Sequence, residues 1–221
     1  MKLINILFLC ILSTLLLSSC ARRIKKAVSD AKYSAYEMVG YEKRDVFKKE
    51  VGNVKEAQED TGEAFKDSLT RLKEIYAFDG GDLEKQHSKL DDSYQDAREK
   101  AAEVSGRIAK VDEVAQDLFT EWGSEIDEIN SSDLKSQSRR KLQETKSKYR
   151  TLHGQLKSSE KKMAPVLSKL KDQVLYLKHN LNARAITGLK GESSKIQGEI
   201  QTLINDMNES SKQADEFIKS L

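Results

Sequence analysis

The chain reads as an all-α protein, an elongated antiparallel coiled-coil-like helical bundle of three long helices plus a shorter C-terminal helix. Three observations predict this. Apolar residues recur every seventh position through most of the chain, the spacing that keeps one seam of a helix facing a partner. A single proline among 221 residues, few aromatics and a mean hydropathy of −0.65 suit narrow seams better than a thick core. Clusters of Asp, Gly, Asn and Ser at 79–82 and 130–133 separate the periodic segments as turns do. High charge, 33% of residues, also suits intrinsic disorder, but the regular apolar spacing argues against it.

Residues 20–32 read as a basic tether and 33–221 as one helical-bundle domain. In its first segment Phe47, Val51, Val54, Phe65, Leu72 and Ile75 recur at spacings built from three and four residues. The segment ends at Asp79-Gly80-Gly81-Asp82, where glycine suits a helix C-terminus and Asp82 can cap the next helix. The second segment has the cleanest seam. Leu83, Leu90, Ala97, Val104, Val111 and Leu118 are seven apart, with Tyr94, Ala101, Ile108, Ala115, Trp122 and Ile129 as the companion row. As one helix, residues 82–129 would span roughly 70 Å. Asn130-Ser131-Ser132-Asp133 then supplies a turn and an N-cap.

The third segment places Leu142, Tyr149, Leu156, Met163, Leu170 and Leu177 seven apart. Its companion row changes phase near Pro165, from Leu152 and Val166 to Leu167, Val174 and Leu181. A kink or a helix boundary at Met163-Ala164 is expected there, because proline lacks a donor and crowds the Lys161 carbonyl. Gly188 and Gly191 predict a further break over 187–191. A last helix then carries Ile196, Ile200, Leu203, Met207, Ala214, Phe217 and Leu221. Short connections make the neighbours antiparallel. Self-association through the same seams is the alternative way to bury them.

The N-terminus has a different character. Lys2 precedes an apolar run from Leu3 to Leu17 that is short for a membrane span, and Leu17-Ser18-Ser19 lead into Cys20. This resembles a bacterial lipobox, which implies removal of residues 1–19 as a signal peptide and acylation of Cys20 with fatty acid such as palmitate. The mature chain then keeps Cys20 alone, with no thiol left for a disulfide. Losing Lys2 takes the formal net charge from +2 to +1, a balance that argues against nucleic acid as partner. Arg22, Arg23, Lys25 and Lys26 follow the lipid site, where cations attract anionic headgroups; a merely solvated tether accounts for them equally well. Ala21, where an inner-membrane retention signal usually has Asp, resembles an outer-membrane address, with the protein facing the periplasm of a Gram-negative host.

Three segments carry a wider resemblance: 39–45 (VGYEKRD), 118–122 (LFTEW) and 172–186 (DQVLYLKHNLNARAI). Together they resemble a proteobacterial lipoprotein family, domain of unknown function 2959. The likeness implies a helical envelope protein with no assigned activity. An ATPase label sometimes attached to relatives has no counterpart in the residues. A phosphate-binding loop ends in Gly-Lys-Ser/Thr, and the nearest approach, Gly188-Leu189-Lys190-Gly191-Glu192-Ser193, has another spacing and Glu where the lysine belongs.

Chemistry-bearing motifs are sparse. His87, His153 and His179 do not fall at metal-ligand spacings, so no metal or other cofactor is expected. His87 and Trp122 fall on the seam of the second helix and read as core residues. Acid pairs such as Asp91/Asp92 sit on charged faces, and general acid catalysis needs a desolvated acid in a pocket; the expectation is a non-enzyme. The best interaction patch is Lys178, His179, Asn180, Asn182 and Arg184. On a continuous helix Lys178 and Asn182 share a face, as do Asn180 and Arg184; the simpler reading is that these residues cap the third helix. A second patch is Tyr41, Lys43, Arg44 and Asp45. The function expected from all this is a non-catalytic structural or adaptor lipoprotein with a protein partner in the envelope. The alternative is a binding module for an amphipathic ligand such as lipid or a peptidoglycan fragment.

Overall fold

The computed structural model describes residues 43–221, except the side chains of 183–185 and 192. The signal peptide, Cys20 with its lipobox residues Leu17, Ser18 and Ser19, the basic tether and Tyr41 all lie outside the described residues. Four helices follow one another: α1 (Lys43–Tyr76), α2 (Leu83–Glu128), α3 (Ser132–His179) and α4 (Ala183–Ser220). They run for 34, 46, 48 and 38 residues, and the described residues include no strand. Residues 47–221 form one compact unit, and the described residues ahead of it, 43–46, belong to the first turn of α1.

Within this unit each helix runs antiparallel to the next. Lys100 pairs with Asp60 at 3.0 Å and Ser68 Oγ donates to the Ser93 carbonyl at 3.1 Å, fixing α1 against α2. Tyr149 Oη donates to Asp112 at 3.2 Å and Trp122 Nε1 to Ser138 Oγ at 3.2 Å, fixing α2 against α3. Lys162 pairs with Asp206 at 2.6 Å and Lys169 with Glu199, fixing α3 against α4. Lys55 meets Asp215 at 3.0 Å, which closes the ring between α4 and α1. Across the middle α1 and α3 run parallel, linked by Gln58 to Ser159 at 2.8 Å and Tyr76 to Gln173 at 3.2 Å. The result is an up-down-up-down bundle.

The turns follow their local chemistry. Gly80 and Gly81 take φ of 155° and 113°, a region side chains disfavour, and Asp82 then accepts from the Lys85 N–H at 3.0 Å as the α2 N-cap. Ser131 does the same for α3, accepting from Leu134 N–H at 3.4 Å. Burial follows the heptads: all six apolar positions named in the first segment are buried, as are the principal rows of α2 and α3. The seams are therefore covered within one chain.

Three details depart from expectation. Pro165 lies inside α3, neither ending it nor marking a boundary at Met163-Ala164. It is exposed, on the side where water can satisfy the Lys161 carbonyl. Gly188 and Gly191 lie inside α4, which begins at Ala183, so the chain breaks at 180–182 instead of 187–191. The apolar periodicity runs through those glycines: Ile186 and Leu189 are buried like Ile196 and Ile200. Gly188 has a packing role as well, because a Cβ there would stand 2.9 Å from Tyr176 Oη. Finally, Trp122 and Ile129 are only half-buried, while Ile126 takes the core position at the end of α2.

Candidate functional site

The turn between α3 and α4 holds most of the sequence-nominated patch. Lys178 and His179 occupy the last turn of α3, exposed, where positive charge favours the helix C-terminus. Asn180 is the C-cap, with φ −139° and ψ 59°. Its backbone N–H bonds the Leu177 carbonyl at 3.0 Å and its Nδ2 donates to the Tyr176 carbonyl at 2.9 Å. Asn182 N–H then bonds the Asn180 carbonyl at 2.8 Å. Two carbonyls of the last helical turn thus find donors in the capping residue. Because α3 ends at His179, Lys178 does not share a helical face with Asn182, nor Asn180 with Arg184. Arg184 is in the first turn of α4. The geometry matches the capping reading for Lys178, His179 and Asn180.

Beside this turn three apolar side chains remain outside the core: Leu175, Tyr176 and Leu181, each a little over 40% exposed. Sequence reasoning placed Leu181 on the seam and passed over the other two. Leu175 and Tyr176 lie between seam positions Val174 and Leu177, and apolar residues off the seam were the available signal. The turn therefore presents apolar surface next to Lys178 and His179 on a backbone fixed by the asparagine cap.

The second patch is less informative. Lys43, Arg44 and Asp45 make up the first turn of α1, where Asp45 suits the positive end of the helix. Lys43 and Arg44 are both engaged in interactions.

The histidines divide by role. His87 Nε2 lies 3.1 Å from the Val174 carbonyl, so that nitrogen carries the hydrogen, and the ring is half-buried as a seam histidine. His153 lies beside Tyr149, its Nε2 3.8 Å from Asp112 Oδ1. His179 is exposed. Among the described residues no group of three His, Cys, Asp or Glu side chains converges as a metal would require. Residues 188–193 are helical, so their N–H groups run along α4 and do not curl around a phosphate.

One cluster escaped the sequence altogether. Phe47, Phe119, Tyr149 and Phe217, one from each helix, meet edge to face with centroids 5.4–5.9 Å apart for the pairs involving Phe47. Asp112 caps the cluster, accepting from Tyr149 Oη and from Gln116 Nε2 at 2.7 Å. Burial first, and then the neighbouring Asp112 carboxylate, push the Tyr149 phenol above its ordinary value near 10. The sign follows directly: the folded state holds a proton that the unfolded chain releases, so this contribution is intact below pH 10 and is lost as pH rises beyond it. Denaturant titrations at increasing alkaline pH should show stability falling above pH 10. Tyr149→Phe should blunt that fall, and an unchanged pH slope would count against the burial account.

No helix among the described residues is long and apolar enough to cross a membrane. No curated protein matches the chain. A family profile described as "Protein of unknown function (DUF2959)" matches residues 32–221, which include all four helices, and the chain belongs to that family.

Proposed function

We propose that this protein is a lipoprotein anchored through Cys20 to the outer membrane, facing the periplasm, and serving as a non-catalytic adaptor for another envelope protein. The lipobox-like leader supports the anchor. The observation that carries the adaptor role is the position of the capped turn. The chain enters the compact unit at Phe47, level with Tyr149. Tyr176 lies 27 residues farther along α3, about 40 Å at the rise of a helix. Leu175, Tyr176 and Leu181 therefore crown the end opposite chain entry. An exposed apolar cluster that includes a tyrosine is the kind of surface a protein partner covers.

In-cell crosslinking of a C-terminally tagged chain tests this. A Cys20→Ser form, exported to the periplasm by another signal, serves as comparison. One discrete envelope protein should be captured by both forms and lost from Leu175→Ser/Tyr176→Ser/Leu181→Ser. Capture that survives the triple substitution removes the turn from the reading. Capture of bulk lipoproteins alone ends the adaptor role, and absence of radiolabelled palmitate on the wild-type protein ends the anchor.

A further inference from the structure

The outward face of α3 is strongly basic. Between Lys135 and Lys162 this helix carries ten lysines and arginines against two acids, Glu144 and Glu160. Half of these cations have work inside the fold. Arg139 pairs with Asp127, Lys135 donates to the Asp127 carbonyl, Lys146 sits over the Phe119 ring, Lys157 pairs with Glu160 and Lys162 with Asp206. The other half, Arg140, Lys141, Lys148, Arg150 and Lys161, are exposed and make no ion pair among the described residues. Arg140 has a hydrogen bond to Ser136 Oγ at 3.3 Å.

Their arrangement is directional. At about 100° per residue, Arg140, Ser147, Thr151, Gly154 and Ser158 form the outermost line of α3. Lys141 and Lys148 flank it on one side, Arg150 and Lys161 on the other. The residues of that line other than Arg140 are small and exposed, and Glu144, between the line and Lys148, is the acid on this face. Long basic side chains beside such a floor reach a planar array of charges together.

We propose that this face of α3 lies on an anionic phospholipid bilayer. The side of the bundle and the course of the chain both favour a bilayer as occupant. Lys135 to Arg150 lie level with Phe47 or beyond it, at the end where the chain enters the unit. The 27 residues from Cys20 to Phe47 reach at most roughly 90 Å, enough for the bundle to lie on its flank beside an anchor. Arg22, Arg23, Lys25 and Lys26 would meet the same headgroups. The proposal goes beyond the adaptor reading and shares only its membrane anchor. It lays the bundle along the surface, which keeps the capped turn close to the bilayer and points to a membrane-apposed partner.

The test removes the lipid, so that its failure is distinct from failure of the anchor. Residues 20–221 carrying Cys20→Ser are floated with vesicles of phosphatidylethanolamine containing roughly one quarter phosphatidylglycerol, and with phosphatidylcholine vesicles. Binding is expected to the anionic vesicles alone, at about 0.05 M salt, and to vanish near about 0.5 M. Arg140→Glu/Lys148→Glu/Arg150→Glu should lower the partition coefficient at least about tenfold. A charge-matched control, Lys73→Glu/Lys85→Glu/Lys212→Glu, should change it far less. All substituted positions are exposed, and an unchanged helical circular dichroism spectrum verifies folding. Absent binding, equal loss in both triple variants, or loss only when the tether cations are neutralised would each overturn the proposal. So would preference for soluble dextran sulfate over vesicles, which would make the ligand a linear polyanion.

Discussion

Replacing Phe47 by alanine should lower the unfolding free energy by about 3–5 kcal/mol, the range for a large aromatic removed from a closed core. Phe47 is fully buried, and its ring meets one aromatic from each of the other three helices, at 5.9 Å for Phe119, 5.4 Å for Tyr149 and 5.5 Å for Phe217. Truncation therefore empties a volume bounded on three sides by rings held on separate helices, which cannot all close inward together. Urea unfolding followed by circular dichroism measures the loss. An unchanged m-value would show that the deficit belongs to the native packing and not to a changed denatured state. Tyr149→Phe keeps every ring in place and removes only the hydroxyl bond to Asp112, so about 1 kcal/mol is expected from it. Equal losses from the two variants would mean that the rings are not the source of the stability.

The second large effect has the opposite sign. Gln58→Met should raise stability by about 1–2 kcal/mol. Gln58 is completely buried on α1 and donates through Nε2 to Ser159 Oγ at 2.8 Å. Its Oε1 has no partner, and neither does the buried hydroxyl of Ser211. The register of α1 against α4 brings these two to one level, since Lys55 pairs with Asp215 on one side and Met207 Sδ lies by Gly62 on the other. Methionine has nearly the shape of glutamine and leaves no orphan acceptor. Ser159 keeps its own bond to the Leu156 carbonyl at 3.0 Å, so removing the amide strands no donor. A thermal melt of the variant gives the answer. A fall in the midpoint would mean that the single amide bond outweighs the desolvated carbonyl. A rise would fit a residue that fixes helix register at a cost in stability, because a one-heptad slide of α1 separates it from Ser159.

How the core was legible follows from the period itself. Leu83 to Leu118 and Leu142 to Leu177 are buried because a seam spaced by seven is a geometric commitment that few other structures satisfy. The seam misled at the end of α2 and at Leu167 in α3, which is half-buried. An α-helix drifts about 20° per heptad against a strict seven-residue repeat. Six heptads along α2, Ile126, eight residues after Leu118, therefore faces inward in place of Glu125, and Trp122 turns halfway out. The glycine pair in α4 misled for another reason: each glycine weakens a helix by about 1 kcal/mol, and burial of Ile186 and Leu189 on either side of Gly188 overrides that. The capped turn was nominated from its asparagines and cations, which carry local conformational meaning. The Phe47 cluster was invisible because its members are 72, 30 and 68 residues apart along the chain, and only the relative register of the helices brings them together. That register depends on interhelical pairs such as Lys55 with Asp215, whose partners have no local signature.

An even number of antiparallel helices returns the chain to the level from which it set out, and the contact of Phe217 with Phe47 records that return. Anything fused after Leu221 accordingly sits beside the start of the compact unit, far from the capped turn. A reporter there stands clear of the links at the opposite tip. The short links at 77–82 and 180–182 lie together at that tip, each held by its own cap.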